Sequence, residues 1–221
     1  GGHTIFKVEN HDGETEIVQA EQHEKPYIDF ELLGGSPSDL LLPRNFLIVE
    51  GVSEFEFLSR VISRFYTNMP VIQILKSNGD IDQAERTINA IEKAFTPLNL
   101  GIYQNRLVIL TDQPSMQKAA GVAQFHSTYP TLMSNQQYFQ LPARDIEQCY
   151  PNVTDTVYGT WKKSQADMDA TNAAGDKVFN GRKKKQLAKH VGANISQADF
   201  ETGDTITCFQ ALSRCWNLSF S

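Results

Sequence analysis

The chain has 221 residues, 40% of them hydrophobic, which suffices for one large domain, or one domain with an appendage, around a packed core. Its formal net charge of −6 argues against nucleic-acid binding through the overall electrostatic field, although basic residues cluster at 182–185. The sequence has neither an apolar stretch long enough to span a membrane nor a secretory leader, which argues against a membrane or secreted protein. The three cysteines lack CxxC spacing, which argues against a zinc knuckle. We therefore expect a reducing cytoplasm.

The first predicted element is a β-hairpin. Two short strand-like runs, at residues 4–8 and 15–19, flank an Asp-Gly turn at residues 12–13. Residues 20–43 are rich in Glu, Gly, Ser and Pro, which is typical of a loop or linker. We therefore predict that residues 1–39 form a peripheral hairpin and linker.

From residue 44 the pattern alternates between strands and helices. Strands are predicted at about 46–50, 70–75, 106–111 and 137–141, and helices at about 53–66, 80–95 and from 115. This alternation predicts an α/β fold with a parallel central sheet flanked by helices. We assign residues 40–150 to this core and residues 151–221 to a helical carboxyl-terminal extension, with Cys208 and Cys215 on the buried face of its last helix.

Three carboxylates are predicted to meet at one edge of the sheet. Glu50 ends the first apolar strand, and Glu54 falls in the first turn of the next helix, for which Ser53 is the predicted N-cap. Asp112 ends the third strand. One such acid is more often a turn former than a ligand, but three that converge at the carboxyl ends of parallel strands indicate a metal site. Oxygen ligands of this kind select Mg²⁺ or Mn²⁺.

These motifs resemble a TOPRIM domain, the metal-binding α/β module of topoisomerases, primases and several nucleases. The likeness spans about residues 33–190 and is nearest to the OLD (overcoming lysogenization defect) nucleases. It is carried by IVEGVSE at residues 48–54, LGGSPSDLL before the first strand, VILTD at residues 108–112, ARDIEQCY at residues 143–150 and KKQLA at residues 184–188. The resemblance implies metal-dependent hydrolysis of DNA phosphodiester bonds, as nicking or double-strand cleavage, in an antiviral defence protein.

The resemblance also implies roles for individual residues. Glu50 would act as metal ligand or general base, and Glu147 could hold a second cation. Lys184 would neutralise the scissile phosphate or the leaving group, and Arg144 could do likewise. In the alternative interpretation, Glu147 only caps a helix and Lys184 is one solvated lysine of a basic run.

A partner domain follows from the same resemblance. OLD proteins generally join an amino-terminal ABC-type ATPase to a carboxyl-terminal TOPRIM nuclease. This chain has no GxxxxGK[ST] phosphate loop and begins without methionine, so we expect a carboxyl-terminal fragment. The predicted hairpin would then be the end of the ATPase. The expected partners are DNA and the upstream ATPase domain, with a homo-oligomer as a further candidate and no membrane.

One departure from the TOPRIM pattern bears on activity. That pattern usually has an Asp-x-Asp pair after the third strand, whereas this chain has Asp112 followed by Gln and then Pro114. Proline offers neither a ligand nor a backbone N–H. The hypotheses are that the remaining acids suffice, that one metal binds weakly, or that a degenerate domain binds DNA or a protein partner without cutting.

The pair Asp167 and Asp169 follows no apolar strand, and we expect it on a solvated helix or loop. A topoisomerase or primase module is less favoured, because no tyrosine domain or zinc ribbon accompanies these motifs.

Overall fold

The structure is a computed structural model that describes residues 6–11, 14–19, 45–70, 72–77, 106–116 and 119–218. Contacts divide the chain into two compact units, Gly1–Pro43 and Arg44–Ser221.

The first unit contains the predicted hairpin. Strand β1 (Phe6–His11) pairs antiparallel with β2 (Glu14–Gln19), with Phe6 opposite Gln19 and His11 opposite Glu14. This register leaves two residues for the connection, which agrees with the Asp-Gly turn signal. The turn residues themselves lie outside the described residues, as does the linker that follows β2.

The second unit contains the remaining elements of the described residues. They are β3 (Asn45–Val49), α1 (Val52–Phe65), β4 (Ile72–Lys76), β5 (Leu107–Thr111), α2 (Ala119–Thr128), α3 (Pro130–Ser134), β6 (Tyr138–Gln140), a 3₁₀ helix (Ile146–Gln148), β7 (Thr154–Asp155), β8 (Gly159–Thr160), α4 (Gln165–Asp169), α5 (Gly181–Asn194), α6 (Gln197–Thr202) and α7 (Ile206–Trp216). The helix predicted at about 80–95 lies outside the described residues.

Four strands form a parallel sheet in the order β4-β3-β5-β6. Strands β3 and β5 are buried along their whole length, as expected of apolar runs in a parallel sheet covered on both faces. Val49 at the end of β3 lies opposite Leu110 near the end of β5. The residues that follow these two strands, Glu50 and Asp112, therefore leave the sheet side by side.

The main hydrophobic core lies between one face of the sheet and three helices. Leu47 and Val49 of β3 and Val108 and Leu110 of β5 belong to a single buried cluster with side chains from α1, α5 and α7. Helix α5 packs along α1, and α7 crosses β3, β5 and β6. The helices predicted as an extension therefore share a core with the sheet. Cys208 and Cys215 are both buried on α7.

Helices α5 and α1 come close together at Gly192. A Cβ atom at this position would lie 2.8 Å from the carbonyl oxygen of Phe57, which is closer than carbon and oxygen tolerate. This approach matters for the site, because α5 carries Lys184 and α1 carries Glu54. None of the helices in the described parts of the chain is long and apolar enough to cross a membrane.

Candidate functional site

A pocket of about 400 Å³ lies at the carboxyl edge of the parallel sheet. Its walls come from the ends of β3 and β5, the start of α1, the 3₁₀-helix segment and the first turn of α5. It is lined by Glu50, Gly51, Val52, Ser53, Glu54, Asp112, Asp145, Glu147 and Lys184. Of the six residues predicted from the sequence, only Arg144 is not part of this lining. We call this pocket of about 400 Å³ the carboxylate pocket.

Glu50 and Asp112 are joined by a hydrogen bond at the strand ends. The backbone N–H of Asp112 donates to Oε2 of Glu50 at 3.1 Å. The turn after β3 is supported from the other side by Ser77, whose backbone N–H donates to the carbonyl of Val49 at 2.9 Å and whose hydroxyl donates to the carbonyl of Glu50 at 3.2 Å. The Glu50 side chain is therefore oriented by β5, while its backbone is held by the residue after β4.

Glu54 turns back onto the start of its own helix. Helix α1 begins at Val52 with Gly51 as its N-cap, so the prediction of Ser53 as the N-cap is wrong. The backbone N–H of Gly51 donates to Oε2 of Glu54 at 2.9 Å. A Cβ atom on residue 51 would lie only 3.0 Å from that oxygen, so glycine permits the contact. The contact places a carboxylate that is 4% exposed at the positive end of the helix.

Ser53 instead holds Glu147. Its hydroxyl donates to Oε1 of Glu147 at 2.7 Å, and both side chains are buried. Glu147 is the middle residue of the 3₁₀ helix rather than its cap. The role of Ser53 was missed because serine at a helix start is normally a capping signal. No spacing rule connects residues 94 positions apart.

The basic run at the start of α5 is divided between two environments. Lys184 lines the carboxylate pocket, where its Nζ donates to Oδ1 of Asp145. Lys185 and Lys189 lie instead on the side of α5 that faces Glu56 of α1. Their Nζ atoms are 3.5 Å and 3.7 Å from Oε1 of Glu56. Asp145 was not assigned from the sequence. Its only signal was its place two residues before Glu147.

Burial and mutual repulsion raise the pKa values of three carboxyl groups in the pocket. Burial raises the pKa of Glu54 to about 7, and the charges of Glu147 and Glu50 contribute in the same direction. Burial raises the pKa of Asp112 well above its usual value, with further contributions from Glu54 and Glu50. Burial also raises the pKa of Glu147, although the Ser53 hydrogen bond opposes the change. Without a cation, burial and mutual repulsion therefore disfavour the ionised forms of these three acids.

The pocket favours the charged form of Lys184, whereas it disfavours the charged forms of these acids. Its burial alone would lower the pKa of the ammonium group. The hydrogen bond to Asp145 and the charge of Glu147 outweigh burial, so that the pKa of Lys184 rises above its usual value. Lys184 therefore remains charged and partly compensates the acids of the pocket.

The donor set of the pocket suits a hard divalent cation. Its potential ligands are carboxylate oxygens, the donors that Mg²⁺ and Mn²⁺ prefer. Oδ1 of Asp112 is buried and has no hydrogen-bond partner in the described parts of the chain. Among those residues, however, no group of three or more His, Cys, Asp or Glu side chains is already arranged to hold a metal ion. The chemistry of the pocket thus fits a cation, whereas its side chains are not preassembled as a ligand cluster.

A second, smaller pocket adjoins the first. It measures about 190 Å³ and shares Glu50 and Asp112 with the carboxylate pocket. Arg144 lines this second pocket, together with Pro114 at the position of the missing aspartate. We call it the Arg144 pocket.

The other acidic pair lies elsewhere. Asp167 and Asp169 are exposed on α4, where Asp167 forms hydrogen bonds with Ser164. The side chain of Asp169 accepts a hydrogen bond of 2.7 Å from Gln165. Neither aspartate lines the carboxylate pocket or the Arg144 pocket.

Comparison with protein-family models, curated proteins and solved structures finds no match to this chain. A functional assignment therefore depends on the geometry and chemistry of the pocket.

Proposed function

We propose that this chain is a TOPRIM-type domain of the OLD kind that hydrolyses DNA phosphodiester bonds, by nicking or double-strand cleavage, with Mg²⁺ or Mn²⁺. One observation carries the proposal. Five carboxylates and a lysine line a single pocket at the carboxyl ends of parallel strands, the usual position for ligands in open α/β sheets.

The arrangement suggests a division of roles. Glu50, Glu54 and Asp112 would hold one cation and Glu147 a second. Bound cations would stabilise negative charge on the phosphate and lower the pKa of an attacking water. Glu50 would also accept a proton from that water as a general base.

Lys184 and Asp145 would act on the substrate side of the same pocket. The ammonium of Lys184 can neutralise a phosphate oxygen or the leaving group, and Asp145 holds it in position by accepting its hydrogen bond. Asp145 is thus a positioning residue.

The electrostatics of the pocket support a role beyond structure. Burying several acids together is costly, as the raised pKa values of Glu54, Asp112 and Glu147 indicate. Strong perturbations of this kind concentrate at functional sites. A divalent cation would stabilise the ionised forms and offset the repulsion.

Plasmid cleavage with Mg²⁺ or Mn²⁺ tests the proposal. Glu50→Gln removes the charge but keeps an oxygen that can accept from the Asp112 N–H. We expect this variant to lose cleavage by about 100-fold or more, the usual scale for a catalytic acid or base. Asp169→Asn, an acid of α4 outside both pockets, is the matched control and should cleave like the wild type. Equal cleavage by wild type and Glu50→Gln would exclude the proposed site.

A second candidate function is a degenerate TOPRIM domain that binds DNA or a protein partner without cutting. Pro114 favours it, because this residue lines the neighbouring pocket where the family pattern would supply a ligand. DNA retardation in a gel, with no cleavage in either metal, would support this alternative. Cleavage that depends on Glu50 would exclude it.

The wider context belongs to the same proposal. We propose that the domain acts in the cytoplasm as a homo-oligomer, downstream of an ABC-type ATPase domain in an anti-phage defence protein. The β1–β2 hairpin is then the end of the ATPase. Sequencing the coding region upstream of Gly1 tests this context, since it should reveal a GxxxxGK[ST] phosphate loop. An upstream region without an ATPase sequence would contradict it.

A further inference from the structure

The Arg144 pocket has a chemical character distinct from that of the carboxylate pocket. The carboxylate pocket is dominated by acids. Its neighbour combines one guanidinium with the pyrrolidine ring of Pro114, the side chain of Val122 and the ring of Tyr138. Such a lining offers one strong anion contact and an apolar wall.

The wall and the guanidinium are held in place by separate contacts. The Tyr138 ring packs edge-on against His126, with ring centroids 4.7 Å apart, and its hydroxyl shares a hydrogen bond of 2.9 Å with Oγ1 of Thr111. The backbone N–H of Gln113 donates to the carbonyl of Ala143 at 2.8 Å, which fixes the segment before Arg144 against the loop after β5. The pocket is thus built from the end of β5 and the loop after it, α2, β6 and the segment before the 3₁₀ helix.

Arg144 is available to an anion. Its side chain is exposed and forms no hydrogen bond or ion pair with any part of the chain that the structure describes. A guanidinium is a strong, two-pronged donor to phosphate. Lys184 belongs to the other pocket, and the shared residues Glu50 and Asp112 lie between the two cations. A polyanion that places one phosphate at the shared carboxylates therefore meets a cationic side chain in each pocket.

We infer that the Arg144 pocket binds the nucleotide unit next to the scissile phosphate. Arg144 pairs with the flanking phosphate, and Pro114, Val122 and the Tyr138 ring contact the adjoining sugar. The volume of about 190 Å³ is below the roughly 300 Å³ at which pockets for larger ligands begin, which suits one sugar-phosphate unit. This inference rests on the proposed nuclease function and makes the substrate a chain with at least two consecutive phosphodiesters.

The assignment changes the role of Arg144. Its place outside the carboxylate pocket separates it from Lys184, with which it was grouped as a neutraliser of the scissile phosphate. Arg144 then determines which substrates bind, rather than stabilising the reacting group.

Binding of short thymidine oligonucleotides in Ca²⁺ tests the inference without requiring turnover. The dinucleotide has one phosphodiester and the trinucleotide has two. We expect the full chain to bind the trinucleotide about ten-fold more tightly, the scale of one charge-assisted hydrogen bond. Arg144→Ala should remove that difference. Arg182→Ala, which removes an exposed arginine outside both pockets, should keep it, because it changes only the overall charge.

Two results would overturn the inference: equal affinities for both oligonucleotides in the wild type, or a trinucleotide preference that survives in Arg144→Ala. Calorimetric titration with Mn²⁺ and plasmid cleavage separate this outcome from failure of the proposed function. If Mn²⁺ binding and cleavage persist while Arg144→Ala has no effect, only the flanking site is excluded. If the wild type neither binds Mn²⁺ nor cleaves, the nuclease proposal fails whatever the oligonucleotides show.

Discussion

The hydroxyl of Ser53 donates a 2.7 Å hydrogen bond to the carboxylate of Glu147, across 94 positions of the chain. It joins the first turn of α1 to the 3₁₀ helix, and each of these elements supplies an acid to the carboxylate pocket. Ser53 is therefore a positioning residue: it supplies the hydroxyl that holds the buried Glu147 carboxylate at the pocket.

Ser53→Ala should weaken both folding and metal binding. It leaves the Glu147 carboxylate without its donor, which should lower the free energy of unfolding by about 1–3 kcal/mol. Loss of a residue that orients a metal ligand typically weakens metal affinity by about 10-fold or more. Urea denaturation and Mn²⁺ calorimetry measure the two effects. Ser63→Ala, at an exposed serine of the same helix, is the control. If both variants behave alike, Ser53 does not position Glu147.

The metal-free protein should lose stability as pH rises. The folded-state pKa of Glu54 is about 7, above its ordinary value of 4.5, so the folded protein retains a proton that the unfolded chain releases. The contribution of Glu54 to the free energy of unfolding therefore falls across pH 4.5 to 7, by on the order of 3 kcal/mol, and this contribution changes no further above that window. Asp112 and Glu147 shift in the same direction.

Thermal or urea unfolding in EDTA across this pH range measures the loss. Glu54→Gln should reduce the slope of the free energy of unfolding against pH, because the glutamine amide does not titrate. Excess Mn²⁺ should restore stability at pH 7 and above, since a cation bound only to the folded state stabilises it. A stability that rises between pH 5 and 7 in EDTA, with no response to Glu54→Gln, would contradict the account.

Lys184→Gln should impair cleavage more than metal binding. Among the described residues, its ammonium is the one basic group lining the carboxylate pocket. Losing a charge that stabilises the transition state typically costs about 100-fold or more in rate. Lys185→Gln is a matched control from the next position of the same run, where the side chain faces Glu56 instead. Initial cleavage rates at saturating Mn²⁺, with calorimetry for metal binding, compare the two. Equal rates for both variants would place Lys184 among the solvated lysines.

Gly192→Ala should destabilise the junction of α1 and α5. The added methyl group would meet the Phe57 carbonyl at 2.8 Å, and overpacking of this kind typically costs about 1–3 kcal/mol. Gly181→Ala is the control, because a Cβ atom there meets nothing within 4 Å. Urea denaturation measures both. A Gly192→Ala protein as stable as the Gly181→Ala protein would show that the helix contact is looser than described.

The central sheet could be predicted from the sequence because its signals are local. Apolar runs of strand length with helical segments between them predict parallel strands, and β3, β4, β5 and β6 lie within about two residues of the predicted bounds. The topology then brings Glu50 and Asp112 together without further information. The start of α1 was placed within one residue, although its cap was assigned to the wrong side chain.

Contacts between distant segments could not be predicted in the same way. Ser53 and Glu147, and Asp145 and Lys184, are paired by tertiary packing across long sequence separations. The division of the basic run also depends on which face of α5 meets α1, which composition does not reveal. The separation of Arg144 from the carboxylate pocket likewise depends on how the segment before the 3₁₀ helix folds.

Mn²⁺-dependent nicking of plasmid by wild type and Asp112→Asn tests the central claim most directly. Oδ1 of Asp112 is the buried carboxylate oxygen without a partner in the described parts of the chain, so this change removes a charge without breaking a hydrogen bond of that atom. We predict saturable nicking by the wild type and a loss of about 100-fold or more in the variant, on the scale of catalytic substitutions. Nicking of equal rate and metal dependence in both proteins would contradict the account.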